Sequence, residues 1–221
     1  KIENTLNNKL SKIVDVKKYN DLNYLEFLNK LDAFLNKYEY REGSQLLFYF
    51  AGHGTYMDGD SYILFKDTPE DFSNNCITVR RLLFKIKEKI DNKGLTKALI
   101  VIDACNQGNS NLEKVNEPAI EKYSTEQIKT FISQKSQILI TSTSPEELAK
   151  DGIKNKNSPF CKAFVKSIES NYDKKVFTNH ELFKSLKNFA LNNGGNKTIR
   201  HSKINVGNNA HVTPRFLFYG K

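Results

Sequence analysis

Two residues of this chain have the type and setting for nucleophilic catalysis. Cys105 stands in Ile102-Asp103-Ala104-Cys105-Asn106-Gln107-Gly108, and His53 in Phe50-Ala51-Gly52-His53-Gly54. A thiol attacks as its thiolate, so a cysteine with an ordinary pKa near ~8.5 needs a histidine or another positive field beside it. Each residue follows a short apolar run: QLLFYFA over 45–51 and KALIVID over 97–103. Such runs read as buried parallel strands, and residues that handle ligands gather in loops beyond the carboxyl ends of those strands. Gly52 lets the chain leave its strand sharply. Gly54 lets a backbone N–H approach a substrate carbonyl, where it would serve with the N–H of Cys105 as an oxyanion donor.

Positioning these residues calls for strands alternating with helices. Leu22, Leu25, Leu28, Leu31, Leu35 and Tyr38 recur at helical spacing, which predicts a helix over 20–38. A weaker strand is predicted over 61–65, and a helix over 78–90 with Val79, Leu82, Leu83, Ile86 and Ile90 inward. Residues 137–142 (QILITS) read as a third buried strand. Ser158 and Pro159 mark an N-cap and a first helical position. Thr178 to Glu181 forms a capping box; it opens a helix containing Leu182, Phe183, Leu186 and Phe189 and leaves His180 at the surface. Arg215 to Tyr219 reads as a last strand. The alternation predicts one α/β domain over residues 1–221, of three layers, with a mostly parallel central sheet and helices on both faces.

Composition removes several alternatives. The 221 residues carry 34 Lys and Arg against 25 Asp and Glu, a net charge of +9. The lysines are scattered among asparagines and form no basic stripe interleaved with aromatics, so no nucleic-acid partner is expected. No run approaches the roughly 18 apolar residues of a membrane helix, and Lys1 to Val16 is polar and helix-like, unlike a signal peptide; no membrane is expected either. The three cysteines, Cys76, Cys105 and Cys161, form no C-x-x-C pair, which predicts free thiols in a reducing, cytoplasmic setting. Cys76 and Cys161 read as inert packing. His201 and His211 lack metal-ligand spacing, so no metal and no cofactor is expected. The only methionine is Met57 and the chain opens on Lys1; further residues are expected to precede it.

Together these segments resemble the peptidase clan of caspases, metacaspases and paracaspases. LLFYFAGHG (46–54) and LIVIDAC (99–105) carry the resemblance most specifically. Cys105 follows His53 by 52 residues, against about 50 in caspases. Asn74 to Val79, leading into a helix, resembles the paracaspase branch. Ile138–Gly152, Ser158–Ala163 and Thr213–Phe218 support it.

The resemblance implies a cysteine endopeptidase with a His53–Cys105 dyad and an acyl-enzyme. Caspases proper carry Gln two residues before the nucleophile and bind Asp; here that position is Asp103. In metacaspases and paracaspases an acid there lines the S1 pocket, and the resemblance places Asp151 in it too. Two carboxylates in a closed pocket repel unless a cation enters between them, and Arg gains bidentate pairing. Cleavage after Arg is expected, with Lys weaker. The family's fold opens on a central strand whose loop supplies a further S1 acid. Residues 1–16 hold no such run, so the domain is expected to lack that first strand here. Residues 106–130 occupy the place of an activation linker, with Lys114, Lys122 and Lys129 as self-cleavage points. The implied partners are a protein or peptide substrate with a basic P1 residue and, for activation, a homodimer or a regulatory partner domain. A catalytically silent scaffold is the alternative; intact His53, Cys105 and S1 acids speak against it.

Overall fold

The computed structural model describes residues 1–10, 14–38, 43–92, 94–105, 113–114, 123–144, 157–192, 199–204 and 215–219. The helices are α1 (Ile2–Lys9), α2 (Tyr24–Lys37), α3 (Val79–Asn92), α4 (Thr125–Ser133), α5 (Pro159–Glu169) and α6 (Asn179–Asn192). The strands are β1 (Ser44–Ala51), β2 (Gly54–Met57), β3 (Asp60–Leu64), β4 (Cys76–Thr78), β5 (Leu95–Asp103), β6 (Glu113–Lys114), β7 (Ser136–Thr141), β8 (Val176–Thr178), β9 (Arg200–Ile204) and β10 (Leu217–Tyr219).

The central sheet runs β1-β5-β7-β9-β6. β1, β5 and β7 pair in parallel, whereas β9 runs antiparallel to β7 and β6 antiparallel to β9. β5 is buried from Lys97 to Asp103 and β7 along its whole length. That explains why both read as unbroken apolar runs rather than alternating ones. The ammonium of Lys97 enters this core and donates to the Gln134 carbonyl; burial holds its pKa down to about 8.

Pleating sends alternate residues to opposite faces. Leu46, Ala98, Ile100, Ile102 and Leu139 face one core, covered by Phe27, Leu31 and Leu35 of α2 and by Leu82, Leu83, Ile86 and Ile90 of α3. Leu99, Val101, Ile138 and Ile140 face the other, covered by Leu6 of α1, Phe160, Phe164 and Ile168 of α5, and Leu182 and Leu186 of α6. The fold is therefore the expected three-layer α/β sandwich. Asn23 caps α2 through a complete capping box with Glu26, and Ser158 caps α5 by accepting the Cys161 N–H at 2.9 Å.

Arg215 to Tyr219 provides the expected last strand: β10 pairs with β8 in a separate two-stranded sheet. One expectation needs correction: His180 is buried rather than at the surface. The capping box explains it: Glu181 accepts from the Thr178 N–H at 2.7 Å and is itself buried, so it draws the whole first turn of α6 inward. β2, β4, β8 and β9 lie where no strand was predicted; three of them are only three or four residues long, too short for a periodic signal.

His180 stacks edge-on against His201 at 5.2 Å. The Asn179 side chain sits 2.9 Å from Nε2 of His201, and its oxygen accepts the Phe216 N–H. The amide NH2 is thus the group turned to His201, whose Nε2 must be unprotonated. Burial first, then His180 and Arg215, press the His201 pKa from 6.5 to about 3. An unfolded chain takes up a proton on this residue below about pH 6.5 while the folded one refuses it, so stability must fall as pH drops from there toward 3. Urea titrations from pH 7.5 to 4.5 should show wild type losing up to ~1.4 kcal/mol per pH unit more than His201→Gln over that window.

Candidate active site

From Gln45↔Lys97 to Ala51↔Asp103, each β1 residue pairs with the β5 residue 52 positions later. The separation of His53 and Cys105 equals this register. Both lie two residues beyond the last pair, so the parallel strands deliver them side by side. The Gly52 N–H donates to the Asp103 carbonyl at 3.1 Å, carrying the pairing one step past β1. β7 ends at the same level, with Thr141 opposite Ile102.

The nucleophile strand is held from the β7 side. The Ser142 N–H donates to the Ile102 carbonyl at 3.0 Å. The Ala104 carbonyl then accepts both the Ser142 hydroxyl at 3.3 Å and the Thr143 hydroxyl at 3.1 Å. Ala104 is buried and Cys105 half-buried, while His53 is exposed. The Ala104 side chain itself is packed into the core covered by α2 and α3, where a larger one would overpack.

The histidine side is held by β3. The His53 carbonyl accepts the Leu64 N–H at 3.1 Å. That makes His53 and Leu64 a hydrogen-bonded pair and Gly54 and Ile63 the intervening non-bonded pair. The N–H of Gly54 is consequently turned away from β3, on the open side of β2. Gly52 has a separate constraint: a Cβ there would lie 2.7 Å from the Phe50 ring, which packs against Phe65.

Asp103 ends β5, on the face of α5. Its Oδ2 accepts the Tyr49 hydroxyl at 3.1 Å and the Ser158 hydroxyl at 2.5 Å, and the residue is buried. Cys161 adjoins the same group: its thiol pKa is raised, by burial first and then by the Asp103 carboxylate. Cys76 donates to the Phe72 carbonyl at 3.6 Å, and burial raises its pKa too. Neither environment activates a thiol, and none of the three cysteines is in a disulfide.

The strand pairing thus places His53, Gly54, Asp103 and Cys105 at the ends of β1 and β5 and the start of β2. Asp151, His211 and Lys122 lie outside the described residues, as do 106–112 and 115–121 of the predicted linker; Lys114 falls in β6 and Lys129 in α4. Sequence reasoning missed Tyr49, Ser142 and Thr143, and read Ser158 only as a cap. Hydroxyls inside or just beyond apolar strands give no periodic signal. Among the described residues no group of three or more metal-ligating side chains converges, and no helix is long and apolar enough to cross a membrane.

A family model of the caspase domain, peptidase C14, matches residues 1–201. The chain belongs to this family. Among solved structures it is similar to the crystal structure of caspase-1 from Spodoptera frugiperda, with a TM-score of 0.46 and 13% identity, over 81% of this chain and 60% of that one. The chain therefore spans less than two thirds of that relative. No curated protein matches significantly. In this caspase domain the Gly52 contact is open to a direct check. Gly52→Ala should force the Phe50 ring aside and lower stability by about 1–3 kcal/mol in urea unfolding, whereas Gly59→Ala, whose Cβ would meet nothing within 4 Å, should cost only the strain of its positive φ.

Proposed function

We propose that this caspase-domain chain is a cysteine endopeptidase that cleaves after a basic P1 residue, Arg more readily than Lys. The observation that carries this reading is the register that sets His53 and Cys105 level beyond β1 and β5. His53 takes the Cys105 proton or stabilises the thiolate. The sulfur attacks the scissile carbonyl carbon, and the oxyanion is held by the N–H groups of Gly54 and Cys105. As the intermediate collapses, the C–N bond breaks and His53 returns the proton to the leaving amine. Water, deprotonated by His53, then splits the thioester and releases the acid. Each step needs only the dyad and two backbone donors.

Asp103 supplies the basic preference, with Asp151 as its companion in S1. A carboxylate on the strand that carries the nucleophile, two residues before it, sits where a P1 side chain would arrive. It favours the paracaspase and metacaspase side of the family over caspases proper. We further read residues 1–221 as one peptidase domain. Among the described residues β1 has a strand on one side only, and its other edge suits the first strand that this family places there. The free thiols fit the cytoplasm.

Fluorogenic peptides with Arg, Lys or Asp at P1 test the specificity. The expected order is Arg above Lys with Asp inert, and cleavage confined to Asp would overturn the S1 assignment. Cys105→Ala should lower kcat at least about a thousand-fold. An arginyl chloromethylketone should label Cys105; a chain that resists labelling and cleaves nothing is a scaffold instead.

A further inference from the structure

Two side-chain hydroxyls converge on the carboxylate of Asp103, two residues before Cys105. We propose that Tyr49 and Ser158 are positioning residues that fix the Asp103 carboxylate in one orientation and thereby set the strength of the basic P1 preference. This rests on the S1 reading of Asp103 given above.

The geometry assigns each proton. Ser158 has one hydroxyl proton, given to Oδ2 of Asp103 at 2.5 Å. Its oxygen is at the same time the N-cap of α5, accepting the Cys161 N–H at 2.9 Å. Tyr49 likewise gives its one proton to Oδ2, at 3.1 Å. Burial first, and then the charge on Asp103, push the Tyr49 pKa well above the usual phenol range, so it remains a donor at every working pH. Its ring is held against Phe164 of α5 at 5.2 Å. Tyr49 stands on β1, Asp103 on β5 and Ser158 at the start of α5, so three elements converge on a single oxygen.

This arrangement has two consequences. A buried carboxylate is costly to ionise unless donors meet it, and two hydroxyls plus the start of an α-helix keep it charged. A charged, oriented carboxylate is what an incoming guanidinium needs as an acceptor. Because both hydroxyls meet Oδ2, the side chain cannot rotate without breaking both contacts. The same bonds join the start of α5 to the strand that carries Cys105. A plain N-cap needs only the acceptor on Ser158, and a plain core residue at 49 needs only the ring. The hydroxyl donors exceed both needs.

The test compares Tyr49→Phe, Ser158→Ala and Ser158→Thr with wild type and Asp103→Asn. Phe keeps the ring, and Thr keeps both the donor and the cap. For a peptide with Arg at P1, Tyr49→Phe and Ser158→Ala should each raise KM about ten-fold with a much smaller change in kcat, and Ser158→Thr should restore it. The Asp103 carboxyl, followed by carbon-13 NMR and assigned with Asp103→Asn, should titrate about one pH unit higher in the first two variants than in wild type. Thermal midpoints separate a folding defect from this effect, since a purely structural role lowers the midpoint without moving the titration. Unchanged KM and unchanged titration in Tyr49→Phe and Ser158→Ala, in an enzyme whose Asp103→Asn variant loses the Arg preference, would overturn the proposal. A wild type with no basic preference overturns the S1 reading instead, and is told apart because the shift in titration persists.

Discussion

The site depends on backbone hydrogen bonding between two parallel strands. β1 and β5 stay in register to their last residues, Ala51 and Asp103, and the Gly52 N–H adds one more bond to the Asp103 carbonyl. His53 and Cys105 are then placed by continuation. A slip of one residue would turn one of the two strand faces over and send its side chain to the opposite layer. At the start of the pair the register shifts between Ser44 and Gln45, and the Thr96 hydroxyl bonds to the Ser44 carbonyl at 3.1 Å. That irregularity changes the offset from 51 to 52 residues, the value that separates His53 from Cys105.

Around this register the protein adds restraints of different kinds at each side. On the β7 side, the hydroxyls of Ser142 and Thr143 hold the Ala104 carbonyl, fixing the backbone next to Cys105. On the β3 side, a main-chain bond holds His53 while the side chain stays exposed. Asp103 is restrained through its own side chain by Tyr49 and Ser158. A buried carboxylate with hydroxyl donors is stiff, whereas an exposed imidazole next to two glycines is less restrained. Rigidity is concentrated at the strand that carries Cys105.

The second core is further organised by a polar cluster of its own. Glu181 accepts from Thr178 and from the Tyr123 hydroxyl at 2.6 Å, and Asn179 bridges His201 and the Phe216 backbone. These bonds dock the first turn of α6 and the strand β10 onto the central layer. They explain why a polar first turn is buried here, against the expectation for a capping box, and why protonating His201 must destabilise the fold.

Much of this was legible in residue order. The unbroken apolar runs of β1, β5 and β7, the amphipathic spacing of α2 and α3 and the caps of α5 and α6 are local patterns, and each appears where the periodicity puts it. The paired strand-end motifs are local too, because a glycine-flanked histidine and a cysteine after a small residue carry their setting with them, and they alone singled out His53 and Cys105 as candidates. Tertiary structure alone decided the rest. Only the register shows that 52 residues of separation are a strand offset. Only packing reveals that Tyr49, an ordinary core aromatic in the sequence, points its hydroxyl at Asp103, and that Ser158 serves helix and carboxylate together. Those contacts join residues 54 and 55 positions apart, and no local pattern records which distant partner a hydroxyl will meet once the layers close.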